Sequence, residues 1–414
     1  MASSTSTVRE QVEVPFFRPE LSKTEISAVL ECLRSGWLTT GPRVQAFEQQ
    51  FAKAVGARYA IAVNSCTAAL HLALEALGLK AGQAVLVPTM TFAATAEVVR
   101  YLGAVPVLVD CEGATTNMDL NDAERKLEMA RKGTLLPALG PLDVVGVIPV
   151  HVGGLMMEIG ELQAFANRHS LWLVDDAAHA FPAAWRRSDT APWQRCGERT
   201  ALVSCFSFYA NKTITTGEGG MAVTDDKNLA DRMRTMSLHG LSHDAWGRYS
   251  GRGSWDYRIV APGFKYNLTD IAAAIGIAQL ARAEQMRLSR QRIAQVYRRE
   301  LADIDALELP LENHNRIHAW HLFPIRIRVE ALGISRNAFV QQLRNRGVGS
   351  SVHWRPLHLH PYYQQTFGWP SELFPTASRI WETLISLPIF PAMRGQEQAH
   401  VVQNVLDICA SCSH

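Results

Sequence analysis

Between residues 59 and 224 the chain repeats one alternation. A short, nearly continuous apolar run is followed by a longer stretch with apolar positions at helical spacing. The apolar runs lie at 59–63, 84–88, 105–110, 144–151, 171–176, 201–208 and 220–224. Most lack the in-out alternation of a half-exposed strand, so they read as strands buried on both faces. The stretches 66–77, 92–102, 122–131 and 159–169 read as helices between them. This order predicts an α/β fold around a mainly parallel, seven-stranded sheet. Ligands on such sheets bind beyond the carboxyl ends of the strands.

The flanks break the rhythm. A helical pattern from Pro19 stops at Gly36, a turn-rich loop runs to Pro42, and Pro42 opens a second helix that ends near Gly56. Residues 183–200 and 241–257 read as loops. One long helix is predicted from Thr269 to about Ile304, with a solvated Arg/Gln-rich half. Beyond it, a smaller α+β unit is expected: a strand at 323–329, a helix at 336–346, a strand at 351–354 and two terminal helices. The organisation read from the chain is a flexible leader at 1–14, a large domain at 15–268, a connecting helix at 269–304 and a small domain at 305–414.

Composition narrows the class. Of 414 residues, 47% are hydrophobic, enough for a sizeable core, and 41 basic against 39 acidic residues leave a net charge of +2. That balance, without a dense basic run, argues against nucleic acid as a partner. The N-terminus has neither the basic nor the apolar region of a signal peptide, and no run is long enough to span a membrane. Seven cysteines, an odd number in a long chain, point to reduced thiols and the cytoplasm. Cys409 and Cys412 have zinc or redox spacing, but a solitary pair at the C-terminus reads as a helix end, and no metal is expected.

The chemistry gathers around Phe206 to Gly220. There a buried run ends in Ser207, a single Lys212 follows among apolar and small residues, and a Thr- and Gly-rich turn leads to the next strand. A lone lysine is usually a solvated surface charge. In a dry site the ammonium is disfavoured, and the neutral amine is a nucleophile toward aldehydes. Lys212 is therefore the candidate anchor for pyridoxal 5′-phosphate. Asn64 to Leu70 sits at a strand-to-helix junction, where backbone N–H groups and hydroxyls suit a phosphate, or serve as a simple N-cap. Ser207 could add a ligand. The strand at 171–176 ends in Asp175 and Asp176, and the cofactor's chemistry needs a carboxylate beside its pyridine nitrogen. Neighbouring strand residues face opposite ways, so only one of the two can serve. A metal-binding acid of a nucleotidase is the competing reading; the chain has no G-x-x-x-x-G-K-[ST] loop to support it. His179 could bond the ring hydroxyl, or be an ordinary partly buried histidine. Phe92 could stack on the ring, or be core packing.

The chain resembles the DegT-type sugar-nucleotide aminotransferases, a fold-type-I family dependent on pyridoxal phosphate. The resemblance is carried by Gly36-Trp-Leu-Thr-Thr-Gly-Pro42, Asn64-Ser-Cys-Thr-Ala-Ala-Leu70, Pro88-Thr-Met-Thr-Phe92, Val174-Asp-Asp-Ala-Ala-His-Ala180 and Phe206 to Gly220. Gly263-Phe-Lys-Tyr-Asn-Leu-Thr-Asp270, Val352-His-Trp-Arg-Pro-Leu-His358 and Leu387-Pro-Ile-Phe-Pro391 extend it to roughly 14–405. It implies that Lys212 carries the cofactor as a Schiff base and shuttles protons. It implies that Asp176 pairs with the pyridine nitrogen, His179 with the ring oxygen, and that Phe92 stacks. Ser207, Cys66 and Thr67 would hold the phosphate. The Lys265-Tyr266-Asn267 stretch would reach the partner subunit's cofactor, giving a homodimer with shared active sites. Many members carry Asn and Arg where this chain has Lys265 and Asn267.

The activity implied is transfer of an amino group from an amino acid, glutamate by expectation, to a nucleotide-linked keto-sugar, with pyridoxamine phosphate as the intermediate form. Two alternatives are a sugar dehydratase of the same family and a non-catalytic, cofactor-binding regulator. The dehydratases carry His where this chain has Lys212, and the set of Lys212, Asp176 and His179 speaks against the regulator.

Overall fold

The computed structural model describes residues 12–241 and 258–412. Two helices come first, α1 (Lys23–Ser35) and α2 (Pro42–Val55). The alternating region runs β1 (Tyr59–Val63), α3 (Cys66–Ala76), β2 (Gln83–Pro88), α4 (Ala94–Tyr101), β3 (Val105–Val109), α5 (Leu120–Lys132), β4 (Asp143–Val147), α6 (Ile159–His169) and β5 (Trp172–Asp176). Two short strands, β6 (Ala184–Trp185) and β7 (Gln194–Arg195), precede β8 (Val203–Ser207), β9 (Gly220–Thr224) and α7 (Lys227–Ser237). Then come α8 (Asp270–Ala281) and α9 (Ala283–Leu301). The C-terminal part holds β10 (Leu307–Glu308), β11 (Arg316–Ile317), β12 (Phe323–Ile327), α10 (Val329–Leu332), α11 (Arg336–Asn345), α12 (Pro361–Phe367), α13 (Pro375–Thr383), β13 (Leu384–Leu387) and α14 (Gly395–Cys412).

The seven-stranded sheet has the order β1-β9-β8-β5-β4-β2-β3. All its pairings are parallel except those of β9, which is antiparallel to both neighbours. Burial on both faces explains the apolar runs. In β1, Ile61 and Val63 join the core that includes α3, while Ala60 and Ala62 join Phe47 and Phe51 of α2. The reversal of β9 places its first residue beside the last residues of its neighbours: Gly220 pairs with Val63 and with Ser207. Gly220 has no room for a side chain, since a Cβ there would lie 2.4 Å from the Ser65 carbonyl. The start of α3 is thereby pressed against the ends of β8 and β9.

The regular elements end where the local chemistry says. Ser22 caps α1 with a reciprocal Ser22–Glu25 box, so that helix starts at Lys23 and not at Pro19. The buried Asp270 carboxylate accepts from the backbone N–H of Gly41 (2.8 Å), Arg43 (3.1 Å) and Val44 (3.0 Å), tying the 36–42 loop to α8. The expected single helix over 269–304 is two, interrupted at Arg282, whose side chain turns back to Glu20 and Glu25. Its Arg/Gln-rich half is not wholly solvated either: Arg287 and Arg290 are buried.

Three further expectations change. The 183–200 segment contributes β6 and β7, which join β11 in a small antiparallel sheet. No strand forms at 351–354, where a single bridge joins Ser351 to Ser386. Val14 is buried and bonded on both sides to Gly347 and Gly349, so the end of the expected leader is part of the packed fold. The predicted loop at 241–257 lies outside the described residues apart from Leu241.

A second core gathers Ile293 and Tyr297 of α9, strands β12 and β13, and α14. Leu357, Tyr363, Trp369 and Phe374 return to the first core. The 351–356 segment therefore crosses from one core to the other, over the edge where the site lies. All seven cysteines are free thiols, and among the described residues no helix is long and apolar enough to cross a membrane.

Glu25 is the polar hinge of the α1–α8 contact. It accepts from the Ser22 backbone (2.7 Å), Gln279 (2.9 Å) and Arg282 (2.9 Å). Burial works to raise its pKa, but hydrogen bonds from the Ser22 hydroxyl, the Ser22 and Glu25 backbone and Gln279 hold it at about 2. A depressed carboxyl stabilises the fold above its unfolded pKa and loses that contribution as pH falls through the folded value; the full effect is about 3 kcal/mol. Glu25→Gln is expected to lower Tm at pH 7, with the difference from the parent protein narrowing from about pH 5 downward. Thermal melts across that range check it.

Candidate active site

The site forms where Val63, Asp176, Ser207 and Gly220 come together at one edge of the sheet. Two acids end β5 and go separate ways. Asp175 pairs in register with Ser204, and Asp176 with Cys205. On the Asp175 face, its Oδ2 accepts from Thr200 Oγ1 (2.5 Å) and Ser204 Oγ (2.9 Å), with His151 Nε2 at 3.8 Å. The thiol of Cys196 completes a buried cluster with His151 and Asp175 on that side. On the other face, Asp176 Oδ2 accepts from Thr95 Oγ1 (2.7 Å) and its Oδ1 from the Ala178 N–H (3.2 Å). Burial raises the Asp176 carboxyl above its ordinary value, against these two bonds and the nearby Lys212 and His151 charges.

Lys212 stands in the turn between β8 and β9. That turn is held by its own threonines. Thr215 Oγ1 donates to the Phe208 carbonyl (3.1 Å) and accepts from the Gly217 N–H (2.9 Å), while Thr216 Oγ1 donates to the Glu218 carbonyl (2.7 Å). Gly217 takes φ 82°, a conformation that favours glycine. Burial pulls the Lys212 ammonium down to about 8, against the attraction of Cys66 and Asp176 and with a further push from Arg290. Such an amine remains mostly protonated near physiological pH, but its neutral, nucleophilic fraction is far larger than that of an ordinary lysine.

Three histidines close the cavity around it. His179 is buried, its Nδ1 accepts from the Gly153 N–H (3.3 Å), and its ring lies 4.1 Å from that of His321 and 5.1 Å from Trp354. His321 Nε2 lies 3.5 Å from Lys212 Nζ. His353 bonds Ser386 Oγ (2.9 Å). Burial keeps all three neutral, pulling His353 to about 4 and the other two well below 6.5, with Lys212 adding in each case.

The cup beside the lysine suits an anion. Cys66 and Thr67 are the first two residues of α3, whose N-cap is Ser65, bonded to the Ala68 N–H at 3.1 Å. A helix start offers unpaired N–H groups and the positive end of the dipole. Cys66 Sγ donates weakly to the Cys205 carbonyl (3.5 Å), and burial raises its thiol well above 9. Ser207 Oγ accepts from the Tyr209 N–H (3.3 Å). Phe92 precedes α4 and is 63% exposed, three residues from the Thr95 that bonds Asp176. Within one chain the side chains of Lys265 and Asn267 contact each other rather than this cup. The Lys265 ammonium donates to Asn267 Oδ1, and Asn267 Nδ2 donates to Thr40 Oγ1 (2.7 Å).

Thr95, His321, His353, Trp354 and Arg290 had no role assigned from sequence. His353 and Trp354 lie in the quoted 352–358 stretch, which gave a signal without a function. Thr95 follows Thr91 by four residues across the start of α4, and Thr91 Oγ1 lies 2.7 Å from its hydroxyl. His321 and Arg290 gave no local signal.

A model of the DegT/DnrJ/EryC1/StrS aminotransferase family matches residues 19–406. The chain is 41% identical over 395 residues to the Methanocaldococcus jannaschii protein MJ1066, covering 95% of this chain and 97% of that one. It is 40% identical over 396 residues, with the same coverage, to the Bacillus subtilis spore coat polysaccharide biosynthesis protein SpsC. The putative sugar aminotransferase Spr1654 from Streptococcus pneumoniae, in its PMP-form structure, superposes with a TM-score of 0.85 at 28% identity, covering 97% of this chain and 98% of that one.

The two faces of β5 yield a prediction. Asp176→Asn is expected to slow turnover by about 10²–10³ with little change in Tm. Asp175→Asn, which disturbs the Thr200–Ser204 cluster, is expected to act mainly on Tm. Rates and melts of both variants check the assignment; a larger rate loss in Asp175→Asn would reverse it.

Proposed function

The chain belongs to the DegT/DnrJ/EryC1/StrS aminotransferase family, and we propose that it is a pyridoxal-phosphate-dependent aminotransferase acting on a nucleotide-linked keto-sugar, with glutamate as donor. The observation that carries this reading is the convergence of Lys212, at a pKa of about 8, with Asp176 and the α3 cup. Relatives support it: SpsC is named for polysaccharide biosynthesis, and Spr1654 is known in PLP and PMP forms.

The residues fit the group. The cup, with the start of α3 held against the strand ends by Gly220, suits its phosphate. Cys66, Thr67 and Ser207 would hold that phosphate, Asp176 the proton of the pyridine nitrogen, and His179 the ring oxygen. Phe92 would cover the ring from its exposed position. When bound, the group supplies an electron-accepting ring conjugated to the carbon that exchanges the amino group. Asp176, buried and bonded by Thr95, is fixed in place and has little water to reorganise. Lys212 would hold the cofactor covalently. Its amine, once released, would take a proton from one carbon and return it to another. The neutral histidines keep the cavity from adding positive charge near that amine.

Lys265 and Asn267 would reach a partner's site, giving a homodimer with shared active sites. They flank β1, the edge strand of the sheet. On α1, Ile26, Leu30 and Leu33 form an exposed apolar stripe at helical spacing, suited to the face of such a dimer.

Glutamate is expected to bleach the visible band of the cofactor-loaded protein with formation of 2-oxoglutarate, and a nucleotide-linked keto-sugar to restore it. A panel of such sugars tests this; a protein whose band no amino acid alters would be a binding module. For the dimer, Lys212→Ala mixed with a folded Lys265→Ala/Asn267→Ala variant should recover activity toward about half per exchanged dimer, since mixed dimers carry one intact site. Demonstrated exchange without recovery contradicts sharing.

A further inference from the structure

We propose that His321 is the positioning residue for Lys212, accepting a hydrogen bond from its amine through Nε2 and so holding that amine in the site whenever it is free of cofactor. The inference rests on the reading of Lys212 as the cofactor lysine. It starts from the turn that carries the histidine. Trp320, immediately before it, has φ 50°, a left-handed conformation that is costly for a bulky side chain. Such a conformation persists only where its surroundings over-determine it, and here they do. The Trp320 N–H donates to His318 Nδ1 (2.8 Å), and the two rings stack at 3.9 Å and 3°. Ala319 N–H donates to the Gly154 carbonyl (3.1 Å), and Leu322 N–H to the Gly153 carbonyl (3.2 Å). Gly154 admits this approach because it lacks a Cβ, which would lie 2.8 Å from that of Ala319.

From the other side, the buried Arg290 donates through Nη1 to the carbonyls of Ile389 (2.6 Å), Trp320 (3.3 Å) and His321 (3.4 Å). The Gly153 N–H that flanks this turn also donates to His179 Nδ1, so one short segment sets both rings. The result is a histidine 4% exposed with Nε2 at 3.5 Å from Lys212 Nζ. Its Nδ1 is buried without a hydrogen-bond partner. A histidine kept only for packing would leave that nitrogen as an unbalanced cost, which an apolar side chain of similar size avoids.

The electrostatics agree. Burial keeps His321 neutral, which leaves one ring nitrogen free to accept, and a bond accepted at Nε2 puts the proton on Nδ1. Acceptance favours the ammonium form of Lys212. The other groups that act on Lys212 are Cys66 at the start of α3, Asp176 at the end of β5, Arg290 on α9, and His179 and His353 from the loops above. None of these is bonded to Nζ among the described residues. Removing the acceptor should therefore let burial lower the lysine further.

The test uses the full chain stripped of cofactor, with pyridoxal phosphate as the probe. The rate at which the probe attaches is followed by visible absorbance across pH, and borohydride reduction with peptide mapping identifies the lysine. Attachment needs the neutral amine, so the pH midpoint reports Lys212 without sugar or amino donor. The parent protein should show a midpoint near the value of about 8. His321→Leu should lower it by about one pH unit, a tenfold change in the neutral fraction at a given pH. His321→Gln, which keeps an acceptor of similar reach, should stay within a few tenths of a unit of the parent. Should the leucine variant not fold, His321→Asn, whose acceptor is too short, supplies the same contrast with Gln. An unchanged midpoint in the acceptor-less variant, or a Gln variant that behaves like it, overturns the role of His321 while leaving Lys212 as the anchor. A label on another lysine overturns the reading of Lys212 and the inference with it.

Discussion

The constraint on which the structure depends is a lysine amine kept in a poorly solvated cavity beside a buried carboxylate. Burial lowers the Lys212 ammonium to about 8 and raises the Asp176 carboxyl, so each group sits nearer to its neutral form than it would in water. Neither shift survives if water fills the cavity. The fold excludes it with His179, His321, His353 and Trp354, which come from three separate segments of the chain. The crossing of the 351–356 segment from one core to the other belongs to the site's chemistry as much as to its packing.

The second requirement is an anion cup at fixed distance from that lysine. It arises from sheet topology. Reversal of β9 brings Gly220 beside Ser207 and Val63, and the missing Cβ of Gly220 lets the start of α3 close on the strand ends. The Thr215 and Thr216 hydroxyls then satisfy the turn from within, so Lys212 is aimed without relying on solvent. Asp175 shows the same economy on the opposite face, where the Thr200 and Ser204 hydroxyls occupy one of its oxygens.

Much of this was legible in the chain. The strands of the large sheet could be read because each is buried on both faces and therefore continuous in apolar residues. The split between Asp175 and Asp176 followed from the two-residue period of a strand. Features set by distant partners were not legible. Arg290 looked like one more charge on a solvated helix; its burial is decided by carbonyls of Trp320, His321 and Ile389, far along the chain. Ser351 to Trp354 has strand-like composition, but only Ser351 makes a backbone bridge, while His353 bonds the Ser386 hydroxyl and Trp354 stacks on His179. His321 sits in an apolar stretch where a histidine reads as core, and only the fold brings it to Lys212.

The most direct measurement is a crystal structure of the protein with pyridoxal phosphate. The account predicts a covalent bond at Lys212 Nζ, the phosphate between the start of α3 and Ser207, and the ring nitrogen facing Asp176. A phosphate outside that cup, a bond to another lysine, or a ring turned away from Asp176 would contradict it.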